Sequence, residues 1–273
     1  MPARLLFPLL AAPLLLAPPP RPAPQPVHAA GLHNVFRLSG RLYSGSQPDG
    51  DAGFESLRRL GVRTVLSVDG STPDVARAER FELRYIHVPV GYDGVPRDKA
   101  LLAAKAVRDL PGPTYLHCHH GKHRGPAVAA CVLLATGDAT PATAAEVLRL
   151  AGTDPKYVGL TAVPHTFAPP TAAELDAVPS HFPAVAPVPT LAKLMVEVDE
   201  RWDRLKGAPT SADAVQLAEL YREAARLPRA AGFVGSLREA EANADVLAKA
   251  PGDRGLLAVG QKLCSRCHAN HRD

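Results

Sequence analysis

Apolar and polar residues alternate in short blocks through the first part of the chain, and these blocks predict strands and helices in turn. Strands are predicted at residues 42–48, together with a turn, and at 62–68, 83–90 and 114–116. Helices are predicted at 51–60, 73–79, 97–110, 126–135 and 142–150. Strands that alternate with helices favour a mostly parallel sheet covered by helices. We therefore predict an α/β domain over residues 31–163.

The last part of the chain, residues 190–273, has the periodicity of helices. Helices are predicted at 191–206, 213–227, 233–250 and 253–272, and in the first of them Val198, Trp202 and Leu205 share one face. The pattern predicts an all-α four-helix bundle. Residues 164–189 contain seven prolines and are predicted to form a semi-rigid, extended linker between two units that fold independently.

Residues 1–30 have the pattern of a secretory signal peptide. Arg4 supplies a positive charge, residues 5–17 form an apolar stretch, and small residues end the segment at Ala30. The apolar stretch is short for a membrane-spanning helix, although an uncleaved membrane anchor is the alternative. We predict an exported protein, periplasmic or otherwise extracytoplasmic, with no stable membrane span.

Composition narrows the class of function. The 273 residues carry a net charge of +4, which is too small and too dispersed to indicate nucleic-acid binding. Four cysteines, at positions 118, 131, 264 and 267, are too few for a disulfide framework, so their spacings indicate chemistry instead. Cys131 lies in the apolar helix 126–135 and is expected to be a core residue.

The stretch 114–126 carries the first candidate site. A strand, a polar loop and an apolar helix follow one another there, and this order forms an anion cradle from loop N–H groups and the positive end of the helix dipole. Arg124 stands six positions after Cys118 and can hold a phosphate through two parallel hydrogen bonds. The same positive charge favours a thiolate at Cys118, which is then placed to attack phosphorus. The phosphate-binding loop comprises His119, His120, Gly121, Lys122 and His123.

The residues His117-Cys118-x-x-Gly121-x-x-Arg124 resemble the signature of the cysteine-dependent protein tyrosine and dual-specificity phosphatases. The resemblance covers nearly the whole first domain, although it is loose outside the loop. It implies that Cys118 forms a phosphocysteine, that Arg124 binds the phosphoryl oxygens and that His117 orients the loop. The family usually has Ser or Thr where this chain has Gly125, which predicts slower breakdown of the phosphocysteine.

A phosphatase of this kind needs a general acid for the leaving oxygen. The resemblance places that acid on a loop after a strand, and Asp93 in the stretch 88–96 matches it. Asp69, just past the strand 62–68, is the competing candidate. A simple turn-forming aspartate is the third interpretation of Asp93.

The histidines around Cys118 have two further interpretations. His119, His120 and His123 are expected to point outward and to give the mouth of the site a tunable positive charge. A metal cluster of these three with His117 is the alternative, although four histidines on one tight loop converge poorly on a single ion.

A second motif lies at the C-terminus, where Cys264-Ser-Arg-Cys267-His268 has the C-x-x-C-H spacing of a covalent c-type haem site. Its place in the last helix resembles the cytochrome c-prime and cytochrome c-556 family. The resemblance implies that both cysteines attach haem, that His268 binds iron and that a first-helix residue faces the opposite side. Met195 is the candidate sixth ligand, with core packing as its alternative role. A zinc half-site and a redox dithiol are alternatives for the motif.

These patterns favour an exported phosphatase that carries haem c and acts on a phosphorylated protein, lipid or small molecule, with a possible redox partner protein. A haem electron-transfer or gas-sensing protein with a non-catalytic phosphate-binding domain is the second hypothesis. A sulfurtransferase of rhodanese type is the third, because its loop also begins with cysteine.

Overall fold

The computed structural model describes residues 23–271, which form a six-stranded sheet flanked by helices and a helical C-terminal part. The N-terminal elements run in chain order through the sheet and its helices: β1 Gln25–Ala29, β2 Leu32–Arg37, β3 Leu42–Ser46, α1 Gly50–Arg59, β4 Thr64–Ser67, α2 Val75–Arg80, β5 Arg84–His87, α3 Arg97–Asp109, β6 Thr114–Cys118, α4 Arg124–Ala135, α5 Pro141–Ala151, α6 Val158–Thr161, α7 Val163–Thr166 and α8 Ala172–Ala177.

The sheet has the order β1-β2-β3-β6-β4-β5, and its last four strands are parallel. β1, β2 and β3 pair in antiparallel fashion at one edge. β6 therefore lies in the middle, with β3 on one side and β4 on the other, and all five of its residues are buried. This arrangement places the end of β6 at the centre of the carboxyl edge of the parallel strands.

Helices cover both faces of the sheet because successive side chains of a strand point to opposite faces. Leu66, Ile86 and Leu116 lie in the larger core together with α3 and α4. Val65 and Tyr115 lie in the smaller core on the other face, with α1. The predicted α/β fold with a mostly parallel sheet is thus the one observed.

The edge strand β1 corrects the predicted end of the signal peptide. Gln25–Ala29 pairs with β2, with Pro26 opposite Phe36, so cleavage after Ala30 would remove a strand of the sheet. This strand could not be predicted from the sequence, because an edge strand needs no regular apolar alternation. It also needs no N–H donor at every position, so it tolerates Pro26. Residues 1–22, which carry the predicted apolar stretch, lie outside the described residues.

The predicted extended linker 164–189 is also wrong for most of its length. Leu175 of α8 is only 3% exposed and packs in the larger core. The His87 N–H donates to the carbonyl of Pro183 at 2.8 Å, and the Ala186 N–H donates to His87 Nδ1 at 3.2 Å. Prolines accept hydrogen bonds and pack well, so a proline-rich segment can wrap a domain. The α/β part therefore continues to about residue 186.

The helical part consists of four α-helices and one 3-10 turn. Its elements follow the predicted order within a few residues: α9 Leu191–Gly207, α10 Ser211–Ala224, the 3-10 turn Pro228–Phe233, α11 Val234–Leu247 and α12 Arg254–His271. Trp202 packs against Gly260, where an added Cβ would lie 2.3 Å from the indole ring. Within residues 23–271 no helix combines the length and the apolar character needed to cross a membrane.

Candidate active site

Cys118 is the last residue of β6, and α4 begins six residues later at Arg124. Because β6 is flanked by parallel strands, the intervening loop lies at the carboxyl edge of the sheet, where open α/β folds bind ligands. The Cys118 side chain is 4% exposed and that of Arg124 is 2% exposed. The predicted strand, loop and helix are therefore present, and they bring Cys118 and Arg124 to one site.

The loop is held from behind. Gly121 has a φ of +68°, and a Cβ there would lie 2.3 Å from the Gly45 carbonyl carbon, so both conformation and space require glycine. Asn34 Nδ2 donates to the Gly121 carbonyl at 3.0 Å, and the Thr153 hydroxyl donates to the Lys122 carbonyl at 2.6 Å. The N–H groups of residues 119–124 donate to no backbone carbonyl of the described chain. The loop thus keeps its donors available for an anion.

Arg124 is fixed but not fully satisfied. Its guanidinium stacks 4.3 Å from the centre of the Tyr92 ring, and Nη1 lies 3.4 Å from the Val90 carbonyl. Nη2 lies 3.6 Å from Asp69 Oδ2. Among residues 23–271, nothing accepts a hydrogen bond from the buried Nε. An orphaned buried donor is rare, and here it lies on the group that the sequence assigns to phosphate.

His117 lies behind the loop and contacts the backbone of Cys118. Its Nδ1 lies 3.3 Å from the Cys118 carbonyl, and its Nε2 lies 2.7 Å from the Tyr85 hydroxyl. Because a carbonyl only accepts, a neutral His117 donates from Nδ1 and accepts from Tyr85 at Nε2. Burial lowers the pKa of His117 to about 4, which keeps the ring neutral. Sequence reasoning found His117 but not Tyr85, which is distant in sequence.

The expected positive charge from the other histidines is not supported. Burial lowers the pKa of His119 and of His123 to about 4, and it lowers that of His120 as well. His123 packs against Tyr157 with ring centres 4.3 Å apart, so it points inward. Among the residues that the structure describes, no group of three or more His, Cys, Asp or Glu side chains is arranged to hold a metal ion.

The two candidate acids differ in environment. Asp69 is 2% exposed, and although burial raises its pKa, Arg124 and Arg226 lower the pKa well below its usual range. An acid held in the ionised form has no proton to donate, which argues against Asp69. Asp93 follows β5, is 72% exposed, and forms a pair with Arg201 of α9 at 2.7 and 2.8 Å. It lies next to Tyr92 rather than against Cys118.

The helical part contributes a charged face to this site, and sequence reasoning missed it. Glu219 of α10 accepts hydrogen bonds from the Tyr92 and Tyr157 hydroxyls, both at 2.7 Å. Glu223 forms an ion pair with Arg124, and burial raises the pKa of Glu223 while Arg124 opposes that shift. The sequence does show charged residues at helical spacing in α10. Periodicity reveals which side of a helix is apolar, however, and does not reveal what the charged side contacts.

Gly125 lies directly against the cysteine. A Cβ at this position would be 3.4 Å from Cys118 Sγ and 3.3 Å from the Cys118 nitrogen. The first distance is an ordinary contact, and the second would require the Cys118 backbone to shift slightly. A side chain at position 125 would therefore lie beside the Cys118 sulfur.

The four predicted haem residues come together in the helical part. Met195, Cys264, Cys267 and His268 line one cavity between α9, α11 and α12. The Tyr221 hydroxyl of α10 lies 3.3 Å from Cys264 Sγ. This donor set suits a covalent haem with two axial ligands. The cavity measures about 40 Å³, which is less than the roughly 300–1,000 Å³ of ligand pockets, so a porphyrin requires the helices to separate.

No protein-family model matches the chain, and no curated protein matches it significantly. Solved structures similar to this chain include P. aeruginosa TpbA, with 24% identity over 56% of this chain and 93% of that chain and a TM-score of 0.45. The core catalytic domain of the PP-IP phosphatase SIW14 from S. cerevisiae, in complex with citrate, has 17% identity over 50% of this chain and 88% of that chain, with a TM-score of 0.43. Human DUSP28 has 19% identity over 52% of this chain and 95% of that chain, with a TM-score of 0.38.

Acid should destabilise the protein through His117. The unfolded state takes up a proton near pH 6.5, whereas the folded state resists until about pH 4. The unfolded state therefore binds more protons in this window, and the free energy of unfolding falls as pH falls, by up to about 3 kcal/mol for a group this buried. Denaturant titrations at several pH values measure this fall. His117→Gln should make the profile less steep, because His119 and His123 still contribute to it, and His181→Gln, at an exposed position, serves as the control.

Proposed function

We propose that the protein is an exported cysteine-dependent phosphatase that hydrolyses phosphomonoesters through a phosphocysteine intermediate and carries a covalent haem c. The observation that carries the first part is the unpartnered Arg124 Nε beside Cys118, at a loop whose N–H groups are available. A phosphoryl group has the oxygens to accept from Nε, Nη2 and the loop at once. The predicted signal peptide supports export.

The reaction takes two displacements. The Cys118 thiolate forms a bond to phosphorus while the bond from phosphorus to the leaving oxygen breaks, and that oxygen takes a proton from Asp93. A water molecule then attacks the phosphocysteine and gives its proton to Asp93, and the S–P bond breaks to return the thiolate. Arg124 and the loop N–H groups hold the equatorial oxygens, where negative charge is spread in the transition state.

The haem proposal rests on the C-x-x-C-H motif and on the shared cavity of its predicted ligands. Cys264 and Cys267 would hold the porphyrin through thioether bonds, His268 would bind the iron, and Met195 would lie on the opposite side. Bound there, haem supplies electron transfer or gas binding. Electron transfer would require a redox partner protein.

One preparation tests both parts. Protein exported with its own N-terminal segment and a c-type maturation system is assayed on an aryl phosphate, and its visible spectrum is recorded. We expect hydrolysis and a haem spectrum in the same sample. A red protein without hydrolysis, even when α10 contacts are weakened as described below, would instead support a haem protein with a non-catalytic phosphate-binding domain. Phosphopeptide, phospholipid and sugar-phosphate substrates then separate the three substrate classes.

Asp93→Asn should slow hydrolysis of alkyl phosphates by roughly 10²-fold or more, because poor leaving groups need the proton. Hydrolysis of p-nitrophenyl phosphate should change far less, since its leaving group needs little protonation. The measurement is kcat for both substrates. Asp98→Asn, at the start of α3, is the matched control. Equal loss on both substrates would give Asp93 a structural role.

A further inference from the structure

The charged face of α10 covers the candidate active site. The space around Cys118 is bounded by loop residues of the α/β part and by residues of the helical part, namely Glu219, Arg222 and Arg226. Its volume is about 10 Å³, which is about the room for one water molecule. A phosphoryl group does not fit there. With Cys118 and Arg124 almost fully buried, a substrate reaches them only if α10 moves.

Residues of the helical part form ion pairs with three charged residues of the candidate active site. Glu223 pairs with Arg124, and Arg226 pairs with Asp69 at 3.0 Å. Arg201 of α9 holds both carboxylate oxygens of Asp93 at 2.7 and 2.8 Å. A chance contact between domains would not be expected to satisfy the phosphate-binding, supporting and proton-donating residues together.

Glu223 is closely fitted to its place. A Cβ on Gly70 would lie 2.7 Å from Glu223 Oε2, so the carboxylate packs directly on the backbone beside Asp69. Its other oxygen faces the Arg124 guanidinium. Glu223 thus holds Nη1 of the guanidinium, while Nε has no acceptor among the described residues.

We propose that α10 is an autoinhibitory element that closes the space at Cys118 and whose Glu223 carboxylate holds Nη1 of Arg124. The proposal rests on the proposed phosphatase function of that site. Docking of α10 and binding of a phosphate ester are then mutually exclusive, because the space left at Cys118 has no room for a phosphoryl group. The apparent activity equals that of the open site multiplied by the fraction of molecules in which α10 is undocked.

Glu223→Gln in the full-length chain is the first test. It keeps the side-chain shape but removes the charge that pairs with Arg124. We expect kcat/KM for an aryl phosphate to rise roughly tenfold or more as the open fraction increases. Glu239→Gln is the matched control, since Glu239 pairs with Arg266 inside the helical part and is 57% exposed. That variant should behave as wild type, because exposed pairs contribute little.

Alkylation of Cys118 provides a readout that does not depend on catalysis. In Glu223→Gln, iodoacetamide should label Cys118 faster, and inorganic phosphate should protect it. The labelling rate of a bulky maleimide should rise more than that of iodoacetamide, because undocking of α10 removes a steric block. A purely electrostatic change in the thiol would speed both reagents alike and would contradict the proposal. Cys131, buried in α4 away from α10, is the internal control in the same peptide map.

Gly70→Ala is a second variant, in case Glu223→Gln does not fold. The added methyl group pushes against Glu223 and leaves every charge in place, so it should raise both the labelling rate and kcat/KM. Faster labelling of Cys118 without hydrolysis in any variant would support occlusion of the site by α10 and would contradict the phosphatase function. Hydrolysis by wild type that neither variant changes, with unchanged labelling, would keep the phosphatase and overturn the occlusion.

Discussion

Cys118→Ser is expected to abolish aryl-phosphate hydrolysis, with a loss of at least roughly 10³-fold in kcat. Serine has nearly the shape of cysteine, but its hydroxyl ionises far less readily and is a far weaker nucleophile than a thiolate. The measurement is best made both in the wild-type chain and in the Glu223→Gln background, where the site is more accessible. Binding of phosphate should survive, because Arg124 and the loop N–H groups are unchanged.

Two comparisons sharpen this expectation. Cys131→Ala removes the other thiol of the α/β part, which lies in the core of α4, and should leave hydrolysis intact. Arg124→Lys should lose most activity although the charge is kept, because lysine offers a point charge in place of a planar fork. Full activity in Cys118→Ser would contradict the phosphocysteine mechanism.

The protein exported with a c-type maturation system is expected to be red, and its colour should survive acid–acetone extraction because the haem is covalently bound. Cys264→Ala combined with Cys267→Ala should give colourless protein, whereas Cys131→Ala should stay red. Mass spectrometry measures the attachment directly. Colourless wild-type protein from a competent host would remove the haem proposal.

The role of Met195 follows from the same samples. If Met195 binds the iron opposite His268, the ferrous spectrum should be low-spin, and Met195→Ala should make it high-spin and open to carbon monoxide. A wild-type spectrum that is already high-spin would give Met195 a packing role only. It would also favour gas binding over electron transfer.

Local patterns were enough for most of the elements. Strands and helices of the α/β part fall close to the predicted ranges because burial on a sheet or helix face imposes a period of two or 3.6 residues on the sequence. The position of the loop between β6 and α4 was predictable from the order of strand, loop and helix, whereas the burial that keeps its histidines neutral was not. Strands β1 and β2 and the packed segment around Leu175 were not predicted, because none of them has a regular apolar period of its own.

The sequence by itself supplied both motifs: a cysteine and an arginine six positions apart at a strand–helix junction, and C-x-x-C-H in the last predicted helix. Spacing along the chain is enough for such motifs because their residues are placed by one local element. Only the tertiary structure decided that Asp69 is held ionised by Arg124 and Arg226, that Tyr85 orients His117, and that Glu223 meets Arg124. These contacts join residues as many as 157 positions apart. The local spacing of apolar and polar residues does not indicate which distant charged surfaces will pack together.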